Sequence, residues 1–339
     1  LGKDCVDLPR FDAMYKPLSE KMRSKIRGRG FTLYGLLDDI PELAEERFFI
    51  WFKNIRDYDL YIIADIWNHY DVYNQLRKLV PPEKIVVIDP SDKTRLFPFN
   101  NNRSLLNAGK DKLLTRFDKR TKYYKRELDT EKNKSTGISP QFNFFIKNYL
   151  PVNILPIGFS IPEEKITVVS AHFKTKLFTE NIVDEEVSRQ IAGSHFIPLG
   201  QQSYSFNDEK SYYADIQKSR FGITMQRSGW DCLRHYEFAA NGAVLCFKHL
   251  KNKPILSAPH GLNESNCISY ENYDDLKNRI ANTDKAAYDL LLQNSYTWIK
   301  KNTTEAIASS ILQDHSLCLI KNFKNNILTS RELPASGLL

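Results

Sequence analysis

Residues Lys218 to Phe247, KSRFGITMQRSGWDCLRHYEFAANGAVLCF, constrain the fold more than any other part of the chain. Phe221 to Met225 is a short apolar strand, and Gln226 to Gly229 is a polar loop with a glycine. Asp231 to Ala240 then has helical spacing, with Leu233, Tyr236 and Ala240 able to share one face. Asn241-Gly242 stops that helix. Ala243 to Phe247 is wholly apolar, as a strand covered on both faces of a parallel sheet must be. A strand, loop, helix and second strand in this order form a crossover unit. Arg227, Asp231, Arg234, His235 and Glu237 fall at or near the carboxyl end of its first strand, where open α/β sheets bind ligands. Trp230 and Cys232 suit the core.

The rest of the second half repeats this alternation. Ile166 to Ser170 is expected as a strand, Glu185 to Ala192 as a helix and Phe196 to Leu199 as an apolar piece. A helix follows at Glu209 to Gln217. Beyond the central unit come a late strand at Asn266 to Tyr270 and helices at Tyr273 to Ala281 and Ala286 to Ala308. His172, just after the first of these strands, is well placed for a cleft, and Lys174 and Lys176 beside it suit a phosphate or an exposed basic loop.

In the first half, Phe31 to Leu37, Leu60 to Ala64 and Lys84 to Ile88 are strand candidates ending at Asp38, Asp65 and Asp89. A helix from about Trp67 to Val80 is broken by Pro81-Pro82. Repeated strand and helix predict a parallel sheet with right-handed crossovers. Each aspartate suits a ligand edge, or a helix cap or turn.

A chain of 339 residues, 42% hydrophobic and 12% aromatic, has room for two ordinary domains. Pro151, Pro156, Gly158 and Pro162 mark a linker at 151–163 between a domain at 1–150 and another at 164–315, leaving a tail at 316–339. The opening Leu1-Gly2-Lys3-Asp4-Cys5-Val6 reads as the end of a helix entering a second strand, so a first strand and helix are expected to be missing upstream. Five cysteines are scattered without metal or disulfide spacing. No run approaches the roughly 18 to 20 apolar residues of a membrane span. A cytoplasmic protein, or one peripheral at a membrane surface, is expected.

The net charge is +7, and residues 110–134 carry ten Lys or Arg against five Asp or Glu. Leu113, Phe117, Tyr124 and Leu128 recur near helical spacing, which predicts an amphipathic surface helix. Its basic face suits solvent, an anionic acceptor or a membrane surface. A nucleic acid is disfavoured because no recognition signature accompanies the charge. Hydrolase, P-loop and zincin motifs are absent. Asp57-Tyr58-Asp59 matches a metal-binding D-x-D in letters but precedes its strand, so a turn is expected and no metal.

The run Tyr213, Ser219-Arg220-Phe221, Gly229, Arg234-x-x-Glu237 and Gly242-x-Val244 resembles the donor half of GT-B glycosyltransferases, in particular the exostosin-like pattern. The likeness covers Ile166 to Ile311 well and the first half only by pattern. It implies an α/β protein of two Rossmann-like domains facing across a cleft, a nucleotide-diphosphate sugar as co-substrate, no cofactor, and a glycan or glycoconjugate acceptor. It assigns the donor ribose to Glu237 and the diphosphate to Arg234 and Arg227, within a site also holding Ser228, Gly229, His172 and Lys174. Many retaining members carry a second Glu eight positions before the first. Gly229 stands there, which leans the expectation towards inversion and towards a general base from the first domain, for which Asp38, Asp65 and His69 are candidates. A binding protein without turnover, or a nucleic-acid-associated protein using 110–134, remains open.

Overall fold

The computed structural model describes residues 5–8, 11–26, 30–38, 53–98, 112, 114–131, 150–200 and 205–316. They build two four-stranded sheets, each entirely parallel, and one two-stranded sheet. This is the α/β class expected.

The first sheet runs β1 (Tyr61–Ile63), β2 (Ile85–Asp89), β3 (Lys122–Lys125), β4 (Asn153–Pro156) in spatial order. Helix α1 (Ile66–Leu79) crosses from β1 to β2. It starts where the Asp65 carboxylate accepts the Trp67 amide at 3.0 Å, and it ends before Pro81. Ile66, Tyr73 and Leu76 are buried against Ile63, Val87, Phe97 and Tyr123. Rings of Phe97, Phe117, Tyr73 and Tyr123 pack edge-on or tilted within about the spacing that favours aromatic pairs.

The second sheet has the order β10 (Ile268–Tyr270), β9 (Val244–Lys248), β8 (Ser219–Met225), β5 (Lys176–Phe178). A small sheet of β6 (Asn181–Ile182) and β7 (His195–Phe196) flanks it, with α2 (Glu185–Gln190) between those strands. Helix α3 (Glu209–Lys218) leads into β8, and α4 (Leu233–Ala240) crosses from β8 to β9. After β10 come α5 (Tyr273–Ala281) and α6 (Lys285–Lys300). Gly242, at φ 78°, takes the left-handed turn that ends α4. Gly222 on β8 lets α4 sit close, since a Cβ there would lie 2.2 Å from the Phe238 ring.

Several expectations are corrected. Phe31 to Leu37 is not a strand; Leu37 makes only an isolated bridge to Tyr15, and Thr32 and Gly35 have positive φ that breaks extension. Ile166 to Ser170 has no strand partner, because its inward backbone groups bond Ala240 and the Tyr296 hydroxyl instead. Residues 122–125 of the expected amphipathic helix are β3, interior to the sheet, so Lys125 is buried and not part of a basic surface. Much of the remainder of 110–134 lies outside the described residues. Asn153–Pro156, within the expected linker, is strand β4. The last expected helix breaks near Thr303, and residues 304–316 return to the first sheet, where Ile311 packs with Val86 and Tyr124. The Tyr124 hydroxyl donates to Asp314 at 2.9 Å.

Candidate functional site

The carboxyl edges of the two large sheets meet. After β3 the chain runs Arg126-Glu127, and after β8 it runs through the loop Gln226 to Cys232. The Glu127 carboxylate accepts the Asp231 amide at 2.9 Å through Oε1. Gly229 is required beneath it, because a Cβ at 229 would lie 2.4 Å from Glu127 Oε1. The space that any side chain at 229 would use is therefore filled by a carboxylate from the other half of the chain.

Arg126 ties the same junction. Its guanidinium donates to the carbonyls of Pro90 and Asp231 at 3.0 and 3.1 Å, pairs with Asp92 and lies over the Phe159 ring. Asp231 accepts the Phe159 amide at 2.7 Å and the Tyr236 hydroxyl at 3.0 Å. From the second half, the Ala258 amide reaches the Arg126 carbonyl at 3.0 Å, and the Ser257 hydroxyl reaches the Leu128 carbonyl at 3.1 Å. Burial pushes the Asp231 carboxyl up to about 6 and raises Glu127 as well, because both charges have left water. Burial lowers Lys253, whose ammonium is held by backbone carbonyls of the 254–257 turn.

The donor residues expected from sequence fall in three places. Arg227, Ser228, Gly229 and Arg234 are together, on the loop and first turn of α4; the arginines are half-buried and Ser228 is exposed. Helices α1, α3, α5 and α6 each begin with a side-chain cap from Asp65, Asp208, Asn272 and Asp284, whereas the start of α4 at Cys232 has no side-chain cap.

Glu237, one turn further along α4, is 3% exposed. Its Oε2 accepts the Tyr212 hydroxyl at 2.8 Å and its Oε1 accepts the Thr32 hydroxyl at 2.5 Å. Because Thr32 Oγ1 gives its single proton to Glu237, the Tyr213 hydroxyl at 2.7 Å is the donor to Thr32. The Thr32 amide donates to Glu209 at 2.9 Å. Thr32 has φ 71°, and the Leu33 amide bonds the Phe31 carbonyl at 2.8 Å, so residues 31–33 form a γ-turn of the strained hand around a β-branched residue. Such a conformation costs on the order of 1–3 kcal/mol and persists only where its surroundings hold it. Phe31 is itself buried, stacked on Tyr212 at 5.8 Å. Burial raises the Glu237 carboxyl, and the Thr32 and Tyr212 hydroxyls oppose that shift.

His172 and Lys174 are corrected in position. They precede β5, and Lys174 donates to the carbonyl of Gln217 at the end of α3, so both belong to the amino edge of the second sheet. The expected strand before them does not exist, and the ligand-edge argument goes with it. His172 instead borders a cavity of about 600 Å3 shared with Val168, Lys285, Tyr296 and Lys300. Burial brings the Lys174 ammonium down to about 8.

Of the candidate bases, Asp65 and His69 stand at the carboxyl end of β1, with His69 Nδ1 3.1 Å from the Asp65 carbonyl. The Asp65 carboxylate serves the start of α1 and accepts Asn68 Nδ2 at 2.6 Å. Asp38 is elsewhere, exposed and paired with Lys16. Asp57 and Asp59 precede β1, in a turn as expected. Glu127, Arg126, Asp92 and Thr32 were not singled out as site residues by sequence. The first three follow strands, and only Tyr123-Tyr124 hinted at β3; Thr32 meets Glu237 across 205 positions and left no local signal.

No protein-family model matches the chain, and no curated protein matches it. Among solved structures it is similar to a sucrose-phosphate synthase from Thermosynechococcus elongatus, at 13% identity and a TM-score of 0.47, over 85% of this chain and 82% of that one. A superposition of that quality carries no residue from one protein to the other.

Proposed function

We propose that the chain is a GT-B-type glycosyltransferase that moves a sugar from a nucleotide-diphosphate donor to a hydroxyl acceptor. One observation supports this above the others: the unit bearing the Ser219-Arg220-Phe221, Gly229, Arg234, Glu237 and Gly242 pattern opens its glycine loop at the junction where the carboxyl edges of two parallel sheets meet. Ligands of open α/β sheets bind at such edges.

In this reading Arg227 and Arg234, with the start of α4, meet the diphosphate and stabilise the charge that builds on it as it departs. Glu237 takes the ribose once its present partner has left. The acceptor approaches from the first sheet, with Asp65 or His69 at the end of β1 as the base if the anomeric centre inverts. Cations and helix amides replace a metal at the leaving group, so turnover continues in excess EDTA and in Asp57→Asn/Asp59→Asn.

A nucleotide-sugar panel, read by thermal shift and then by release of nucleoside diphosphate, tests the reading. Stabilisation by one donor with turnover on a hydroxyl acceptor supports it. Binding without release leaves a nucleotide-binding protein, and no binding by any donor removes the reading. Of the basic segment, Lys125 and Arg126 are buried while Arg116, Lys119 and Arg120 are exposed, and no recognition signature accompanies them to favour a nucleic acid.

A further inference from the structure

We propose that the turn Phe31 to Leu33 is an intramolecular latch: Thr32 occupies the acceptor groups of Glu237 and Glu209 that the hydroxyls of a bound nucleotide would use, and donor binding displaces it. The proposal rests on the donor-site reading of Glu237 and adds an occupant to that site.

The chemistry of exchange is balanced. Glu237 accepts hydroxyl protons from Thr32 and Tyr212, and Glu209 accepts one amide proton from Thr32. A ribose diol is also a pair of hydroxyl donors for the two acids, and its oxygens can accept from the Tyr213 hydroxyl as Thr32 does, so the three hydrogen bonds lost with Thr32 are regained with the ligand. Departure of the turn also frees Thr32 from its left-handed backbone at φ 71°, a conformation that a residue branched at Cβ does not adopt by preference. Against release stand the burial of Phe31 and its stacking on Tyr212 at 5.8 Å. A latch held by one aromatic ring and a few replaceable hydrogen bonds, and opposed by backbone strain, can open when a ligand binds the open form better than the closed one.

The placement of the two acids argues the same way. Glu209 lies in the first turn of α3 and Glu237 in the second turn of α4, and the carboxylates of both reach the one residue Thr32. Lys165 also reaches Glu209, at 3.0 Å, so that acid keeps a partner when Thr32 leaves. Glu237 keeps Tyr212. Neither carboxylate is stranded by opening.

Thr32→Val keeps the shape of the side chain and removes the hydroxyl, and Thr32→Ser keeps the hydroxyl. The full chain and both variants are titrated with UDP, ADP, GDP and CDP by calorimetry, and amide exchange across 30–37 is followed with and without the diphosphate that binds. The latch predicts at least tenfold tighter binding by Thr32→Val, near-unchanged binding by Thr32→Ser, and, in the ligand complex of the unaltered chain, faster exchange of the Thr32 and Leu33 amides, which the closed turn bonds to Glu209 and the Phe31 carbonyl. Binding weakened or unchanged by Thr32→Val, or exchange slowed by ligand, overturns the latch and leaves the donor site standing. No binding of any diphosphate by any of the three proteins overturns the donor site and the latch together. The exchange measurement on the unaltered chain decides the matter if Thr32→Val fails to fold.

Discussion

Asp89 at the end of β2 and Glu237 on α4 are both sealed from water, at 0% and 3% exposure, yet one faces a cation and the other faces hydroxyls. Asp89 pairs with Lys125 at 3.1 Å and also accepts the Tyr123 hydroxyl, the Trp67 indole N–H and both the hydroxyl and the amide of Ser91. Every partner comes from the first sheet or the chain beside it. Glu237 takes its donors from α3 and from the distant Thr32 turn. A buried charge matched by an opposite charge and four fixed donors is a finished piece of structure. A buried acid held by neutral hydroxyls can exchange one hydroxyl for another. On the proposed donor-site reading, the difference separates an acid that builds the fold from one that serves a ligand, although both lie in α/β units of the same kind.

The largest test breaks the first member of the pair. Lys125→Met leaves the Asp89 charge buried beside neutral groups, and removing one partner of a buried pair typically costs about 3–5 kcal/mol. Urea unfolding should show that loss with an unchanged slope. A loss below about 1 kcal/mol would mean that Asp89 does not depend on the cation.

Asp231 resembles Glu237 in having its carboxyl raised by burial, here to about 6. The folded state keeps this proton at pH values where the unfolded chain has released it, so stability falls as pH rises from about 4 to about 6 and is flat above. The displacement corresponds to about 3 kcal/mol. Asp231→Asn has no such proton. Unfolding at pH 4 and pH 7 should show the unaltered chain losing about that much relative to the variant, whatever constant offset the amide brings. Equal pH slopes would mean that burial does not hold a proton on Asp231 over this range.

Tyr212→Phe tests the second member directly. It removes one neutral donor from Glu237 and leaves a buried oxygen short of a partner, which costs about 1–3 kcal/mol. The loss should be smaller than for Lys125→Met and should shrink at low pH, where the raised Glu237 carboxyl is protonated. A loss as large as that of Lys125→Met would make Glu237 a structural acid like Asp89.

Legibility in the sequence followed the range of the interactions. The unit β8, α4 and β9 was readable because each signal is local: apolar runs, a glycine loop, and Asn241-Gly242 after the helix. Strand β3 was hidden because Lys122 and Lys125 flank Tyr123-Tyr124 and look solvated, and because Phe117, Tyr124 and Leu128 happen to keep helical spacing. The distant Asp89 and Ser91, which together hold its ammonium, make Lys125 tolerable inside a sheet. Ile166 to Ser170 is apolar enough for a strand, but Tyr296 takes the hydrogen bonds that a neighbouring strand would have made. Glu127 over Gly229 and Thr32 against Glu237 join segments about a hundred or two hundred positions apart, beyond the reach of any periodicity.

The smallest expected effect uses the same distance in a different solvent. Lys16 and Asp38 also pair at 3.1 Å, but their side chains are 54% and 88% exposed. Water already solvates both charges when they separate, and holding two flexible side chains together costs entropy, so such pairs contribute only a few tenths of a kcal/mol. Lys16→Ala should therefore move the urea midpoint almost imperceptibly, and added salt should erase what difference remains. If this substitution costs as much as Tyr212→Phe, then the protein around Asp38 excludes water in solution. In that case burial, the property used to divide Asp89 and Glu237 from the surface acids, would have to be redrawn to include it.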